Sequence, residues 1–91
     1  MRTAARVDAN QGEIVNALRH VGATVHCTHR LGKGYPDLAV LFRGQIYLLE
    51  VKLPGEKLTD DEQEWHDRWQ CPYVVVVYGV NDALRAVGAI E

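Results

Sequence analysis

Hydrophobic and polar positions along the chain first follow a helical period. Apolar residues between positions 14 and 21 recur at the spacing of one helix face, which predicts a helix capped by Asp8 and ended by Gly22. The next run, residues 23–29, is rich in β-forming residues and predicts a strand. Residues 30–36 contain two glycines and a proline, which predicts a loop.

The middle of the chain predicts a β-hairpin. Two runs rich in Leu, Val, Ile and Phe, residues 37–43 and 45–53, meet at Arg43-Gly44, a dipeptide suited to a two-residue turn. Such a turn pairs Asp37 with Glu50 across the hairpin. The hairpin therefore brings two acidic residues to one end of an otherwise apolar pair of strands.

The last third of the chain predicts a helix, a strand and a helix. The sequence T-D-D-E from Thr59 is a capping box that opens a helix running to about Trp69. Residues 73–78 are continuously apolar, which predicts a strand buried on both faces at the centre of the sheet. Residues 81–90 begin with another capping residue and predict a final helix.

The order of elements, α-β-β-β-α-β-α, predicts an α/β (α+β) fold with a mixed sheet flanked by helices. We expect a single domain over residues 1–91, with its core at about 8–88, because 91 residues suffice for one domain and no linker divides them. No apolar run approaches the roughly 18 residues of a membrane span, and the start of the chain lacks a secretion signal. We therefore expect a cytoplasmic protein without membrane contact.

Composition and charge say less about the function than the order of the elements says about the fold. The chain is 47% hydrophobic and 24% charged, as ordinary globular domains are. Residues 1–33 carry five Arg and Lys against two acids, whereas residues 60–91 carry seven acids against two Arg. With a net charge of -2, the chain as a whole does not have the charge of a polyanion-binding protein. Cys27 and Cys71 form no CxxC pattern, which indicates neither a disulfide framework nor a zinc site.

Three charged residues, Asp37, Glu50 and Lys52, interrupt the apolar hairpin. Glu50 and Lys52 are two residues apart on a strand, so their side chains project from the same face. The side chains of Asp37 and Glu50, directly opposite each other, would begin roughly 5 Å apart. Two carboxylates that close repel each other unless a cation lies between them, and Mg²⁺ and Mn²⁺ prefer such oxygen ligands. The set suits metal-assisted hydrolysis of a phosphodiester. In the alternative interpretation, Asp37 ends a loop while Glu50 and Lys52 form a solvated pair.

The stretch GYPDLAVLFRGQIYLLEVK, residues 34–52, resembles the PD-(D/E)XK nuclease motif through Pro36-Asp37 and Glu50–Lys52. The glycine-rich loop, the short hairpin, "EVK", "KLT", the acidic helix and Trp65 are similar to the VRR-NUC branch, in its small stand-alone phage and prophage form, over about residues 8–87. The resemblance implies a restriction-endonuclease-like core and a DNA endonuclease that uses Mg²⁺ or Mn²⁺ and no organic cofactor. It also implies a homodimer that acts on branched DNA, such as a Holliday junction, in a bacterial host cell.

The resemblance assigns roles to the motif residues. Asp37 and Glu50 match the acids that bind the metal, and the backbone carbonyl of Val51 matches a further ligand. Lys52 matches the lysine that orients the attacking water or stabilises the transition state. These residues, Asp37, Glu50 and Lys52, are therefore the predicted catalytic set.

Two further positions bear on the family pattern. Glu13 on the first helix is the candidate for an additional metal-binding acid, with Asp8 as its rival and a solvated helix residue as the alternative. Family members often carry a glutamine three residues after the Ser or Thr that opens the second helix. Here Glu62 holds that spacing from Thr59, with Gln63 next, and as part of a capping box Glu62 already has a structural role.

The loop before the hairpin is the predicted contact with nucleic acid. Arg30, Lys33 and the exposed N–H groups around Gly34 are placed to bind a DNA phosphate, although a plain flexible loop has the same composition. For Tyr35 and Trp65 we expect packing rather than base contacts. Two other functions stay open: a non-catalytic nucleic-acid-binding or assembly module on this fold, and a protein-interaction domain whose acids bind no metal.

Overall fold

The computed structural model describes residues 9–91 and contains the helices and strands in the predicted order. The three helices and four strands, with one short 3-10 turn at His29–Leu31, form a single α+β unit, which confirms the predicted class. Their bounds are α1 Gln11–His20, β1 Thr24–Cys27, β2 Leu38–Phe42, β3 Gln45–Val51, α2 Asp60–Arg68, β4 Val74–Val77 and α3 Val80–Ala86. None of the helices in this part of the chain has the length and apolar character needed to cross a membrane.

The sheet is mixed, with the order β1-β2-β3-β4. The first three strands are antiparallel and β4 runs parallel to β3. Arg43 and Gly44 both have positive φ, 49° and 82°, as a two-residue hairpin turn of type I′ requires. This turn sets the register Leu38↔Leu49. Asp37 and Glu50 are the next residues along the chain beyond this pair. The strand β2 itself begins at Leu38.

The prediction that residues 73–78 form the central strand was wrong. β4 is the last strand of the sheet and, within residues 9–91, pairs only with β3. Val77 is its one buried residue, and the other three valines are half-buried. A short apolar run looks the same in a central strand and in an edge strand whose faces are partly covered, because the sequence of a strand does not encode its neighbours.

The hydrophobic core lies between one face of the sheet and the helices α1 and α3. Glu50 follows a core residue of β3 and therefore faces the other side of the sheet, where α2 lies with His66 next to it. Helices thus flank both faces, as predicted. Beyond α2 the second face is open, and Ile46 there is 60% exposed. The core residues contributed by the two helices and the sheet include Ile14, Leu18, Ala83, Val87, Leu38, Val40, Leu49 and Val77.

The loop that precedes the hairpin packs against the start of α2. Gly34 has a φ of 80°, and a Cβ at this position would overlap the main-chain carbonyl of Asp61. Tyr35 meets Trp65 edge-on, with ring centroids 5.2 Å apart, so both aromatic residues pack as expected. The glycine allows loop and helix to approach closely enough to enclose the end of the hairpin between them.

The predicted helix cap at Asp8 lies outside the described residues. Asn10 occupies the N-cap position of α1, and its side chain makes no capping hydrogen bond. Gly22 follows the helix with a φ of 98° and its N–H donates to the carbonyl of Arg19, which confirms the predicted end.

Candidate active site

Hydrogen bonds of its backbone and of its side chain hold Asp37 at the open end of the hairpin, away from the turn. The N–H of Thr28 donates to the carbonyl of Asp37 at 2.7 Å, and the Thr28 hydroxyl donates to the carbonyl of Pro36 at 2.7 Å. The Asp37 carboxylate accepts a hydrogen bond from the N–H of Val51 at 2.9 Å. These contacts fix one carboxylate at the end of β3, next to the Glu50–Lys52 segment.

Glu50 is a buried acid, with a side chain only 1% exposed. Burial, reinforced by a hydrogen bond with Asp37 and by the negative charges of Asp37 and Glu62, raises the pKa of Glu50 to about 10, and the charge of Lys52 opposes this only in part. The protein alone therefore keeps Glu50 protonated at neutral pH. Its Oε1 atom is buried and has no hydrogen-bond partner.

Lys52 is held in the site by an acid of α2. Its Nζ lies 2.7 Å from Oε1 of Glu62, and the two side chains are 11% and 18% exposed. Glu62 also completes the capping box with Thr59. Burial raises the pKa of Glu62, but hydrogen bonds from Lys52 and from the Thr59 N–H outweigh it, so the pKa lies below its usual range. Glu62 thus combines the capping role expected from the sequence with a contact to the motif lysine.

His66 is a second α2 residue at the site, and it was not predicted from the sequence. It lies one helical turn after Glu62, and its Nε2 is 4.0 Å from Oε1 of Glu50. Burial lowers the pKa of His66, although the charges of Glu62 and Asp67 oppose this, and the lowered pKa favours the neutral imidazole. The i, i+4 spacing puts Glu62 and His66 on one helix face, but the sequence does not show that this face meets the hairpin.

Asn10 ties the start of α1 to the strand ends that carry the site. Its buried amide nitrogen donates to the carbonyls of Lys52, at 3.3 Å, and Tyr78, at 3.2 Å. The two carbonyls belong to the residues that follow β3 and β4. Asn10 therefore fixes the backbone at the motif lysine, a role that its place before a helix does not reveal in the sequence.

The motif residues line one cavity of about 610 Å³ between the loop before β2, the segment after β3 and the start of α2. Five acidic residues line it against a single lysine, Lys52, so the cavity attracts cations and repels phosphate. The five acids are Asp37, Glu50, Glu56, Asp61 and Glu62.

The other predicted site residues lie in different places. Glu13 is exposed on α1 and does not line the cavity. Gly34 lines the cavity, whereas Arg30 is exposed outside it. Lys33 lines a neighbouring hollow of about 350 Å³ beside the tryptophans of α2. Gln63 donates its amide to Asp67 on the helix surface and does not line either hollow.

The residues present fit a divalent cation that binds mainly water and phosphate. Within residues 9–91 no group of three or more His, Cys, Asp or Glu side chains is arranged to hold a metal. Asp37 and Glu50 supply two carboxylates, and the N–H of Val51 donates to the carboxylate of Asp37. The carbonyl of a strand residue points to the same neighbouring strand as its N–H, which makes the Val51 carbonyl a candidate third ligand. Mg²⁺ commonly uses only one or two carboxylates and completes its coordination with water and substrate phosphate. The orphaned buried oxygen of Glu50 is a further sign of a missing polar partner.

The chain thus combines a mixed four-stranded sheet, in α-β-β-β-α-β-α order, with two acids and a lysine at one end of its hairpin. Comparison with solved structures gives a match to a VRR_NUC domain, with a TM-score of 0.68 over 92% of this chain and 100% of that one. The sequence identity is 24%, so this similarity establishes the fold. No protein-family model matches the sequence. No curated protein matches it either.

Proposed function

We propose that this protein is a DNA endonuclease that depends on Mg²⁺ or Mn²⁺. Asp37 and Glu50, with the carbonyl of Val51, are the metal ligands in this proposal, and Lys52 is the catalytic lysine. The observation that carries it is the pair of adjacent carboxylates, one of them buried, beside a lysine fixed in a cavity. The fold shared with a VRR_NUC domain supports the same assignment.

In this mechanism each residue of the site has a distinct task. The bound ion supplies Lewis-acid chemistry, by activating water and by offsetting charge on the phosphate. Lys52 directs its ammonium at the attacking water or at a phosphate oxygen, and Glu62 limits the positions that the ammonium can occupy. Hydrolysis of the P–O3′ bond then leaves a 5′-phosphate and a 3′-hydroxyl.

We further propose branched DNA, such as a four-way junction, as the preferred substrate, and a homodimer as the acting form. One domain of this size carries one such cavity, and a two-fold dimer would present two in fixed relation, which suits paired nicks in a junction. Exposed apolar side chains occur where we expect the contact, at Tyr78 after β4 and at Ile90 after α3. A phage or prophage origin and action in the bacterial cytoplasm belong to the same proposal.

A cleavage assay tests this function. Labelled four-way junction, flap and linear duplex are incubated with Mg²⁺, Mn²⁺ or EDTA and with wild type, Lys52→Ala or Lys57→Ala. Lys57 is an exposed lysine in the loop before α2 and serves as the matched control. We expect metal-dependent cutting by wild type and Lys57→Ala, and its loss in Lys52→Ala.

The second candidate function is a nucleic-acid-binding or assembly module on the same fold. The acidic lining of the cavity favours the nuclease, since a phosphate-binding surface without a metal would need basic residues there. If no substrate is cut, and wild type and Lys52→Ala both bind DNA equally well in EDTA, the enzyme is excluded and the binding module remains.

A further inference from the structure

His66 and Glu50 face each other across a gap between two buried, unpartnered atoms. The Nε2 of His66 and the Oε1 of Glu50 are 4.0 Å apart, and their side chains are 14% and 1% exposed. Neither atom has a hydrogen-bond partner. Buried polar atoms without partners are uncommon, because each loses its hydration and gains no hydrogen bond in return. Two of them aimed at each other indicate a contact that forms in another state of the site.

The position of His66 is set by the rest of α2. One turn earlier Glu62 is anchored to Lys52, and the neighbouring Trp65 packs against Tyr35 of the loop. These contacts fix the rotation of the helix and direct His66 towards the sheet. The 4.0 Å separation exceeds a hydrogen bond by about 1 Å, a distance that a small rotation of either side chain closes.

We propose that His66 is a positioning residue, which donates its Nε2–H to Oε1 of Glu50 when the Glu50 carboxylate binds a divalent cation. The inference rests on the function proposed above. A buried carboxylate needs hydrogen-bond donors as well as the cation, and carboxylates that bind metals are themselves commonly hydrogen-bonded in this way. The other nearby side chains are poor donors for this atom: Asp37 and Glu62 are acids, and Lys52 is held by Glu62. His66 is the donor that faces the orphaned oxygen.

Metal binding measured without DNA tests this role. Isothermal titration of Mn²⁺ compares wild type with His66→Leu, which removes the donor, and with His66→Gln, which keeps an N–H at similar reach. We expect His66→Leu to weaken binding by about 10–100-fold, the usual effect of losing a hydrogen-bond partner of a metal ligand. We expect His66→Gln to bind nearly as tightly as wild type. His20→Leu, at an exposed position of α1, is the matched control and should not change the affinity.

Several results would overturn the inference. Equal affinity of wild type and His66→Leu would remove any role in metal binding, while leaving the proposed nuclease intact. Equal weakening in His66→Leu and His66→Gln would indicate packing instead of hydrogen bonding. Nitrogen-14 coupling to bound Mn²⁺ in pulsed EPR, present in wild type and absent in His66→Leu, would make His66 a direct ligand. If wild type binds no Mn²⁺ at all, this inference and the proposed function both fail.

Discussion

Glu50 and Lys52 project from the same face of one strand, yet the protein gives them different environments. Lys52 is paired with Glu62 of α2, whereas Glu50 is buried beside Asp37 and retains an oxygen without a partner. Burying Glu50 beside Asp37 is costly, because the two carboxylates either repel each other or share a proton. A cation bound between them would take the place of this proton and cancel the repulsion. The burial of Glu50 beside Asp37 therefore supports the proposed metal site, because a bound cation would offset its cost.

The buried acid makes the stability of the protein in EDTA depend on pH. In the unfolded chain Glu50 ionises near the ordinary glutamate pKa of 4.5, while burial in the folded state raises its pKa to about 10. Between these values the folded state holds the extra proton, so the contribution of Glu50 to the free energy of unfolding falls as pH rises. Urea denaturation at pH 6 and pH 9 should show this loss in wild type. Glu50→Gln, which stays neutral in both states, should lack it, and identical pH dependence of the two proteins would contradict the assigned burial.

At the scale of elements, α2 completes the site that the hairpin begins. The hairpin register follows from a turn with two positive φ values, and the capping box fixes the start of α2, so both could be predicted from sequence. The contacts of Glu62 and His66 could not, because they depend on how α2 docks across the loop after β3. The position of β4 at the edge of the sheet could not be predicted either, because a run of valines does not specify which strand lies beside it.

Glu62 caps α2 and also holds Lys52, and the substitution Glu62→Gln separates these two roles. Glutamine also serves at this position of a capping box, so we expect a nearly unchanged melting temperature. Without the charge that holds Lys52, we expect the single-turnover cleavage rate to fall by about 10–100-fold, as small misplacements of catalytic groups do. Glu64→Gln, on the exposed side of α2, is the control and should cleave like wild type. Normal cleavage by Glu62→Gln would show that the ion pair does not position Lys52.

The hydrogen bonds of Asn10 should stabilise the contact between the start of α1 and the strand ends at the site. Asn10→Ala leaves the carbonyls of Lys52 and Tyr78 without their donor, and we expect a loss of about 1–3 kcal/mol in the free energy of unfolding. Asn16→Ala, on the exposed face of the same helix, should change it by less than about 0.5 kcal/mol. Urea denaturation measures both, and equal effects would argue that the Asn10 hydrogen bonds contribute nothing.

At the scale of the whole molecule, the acidic cavity makes the proposed DNA binding depend on cations. Acids outnumber basic residues in its lining, even with Glu50 protonated and Glu62 paired with Lys52, so the cavity repels a phosphate backbone until cations offset the negative charge. We therefore expect fluorescence anisotropy to detect junction binding in Ca²⁺, a divalent ion also bound by carboxylates, and to show at least tenfold weaker binding in EDTA at the same ionic strength. Equal binding in both buffers would mean that DNA contacts a surface away from the cavity.

The claim on which the whole account depends is that Asp37 and Glu50 bind a divalent metal next to Lys52. The most direct measurement is a crystal structure of the protein grown with Mn²⁺, with anomalous diffraction data that locate the ion. We predict an anomalous peak about 2.1 Å from an oxygen of each carboxylate, the distance typical of Mg²⁺ and its oxygen ligands. Saturating Mn²⁺ with no peak between Asp37 and Glu50, or with a peak only elsewhere, would contradict the account.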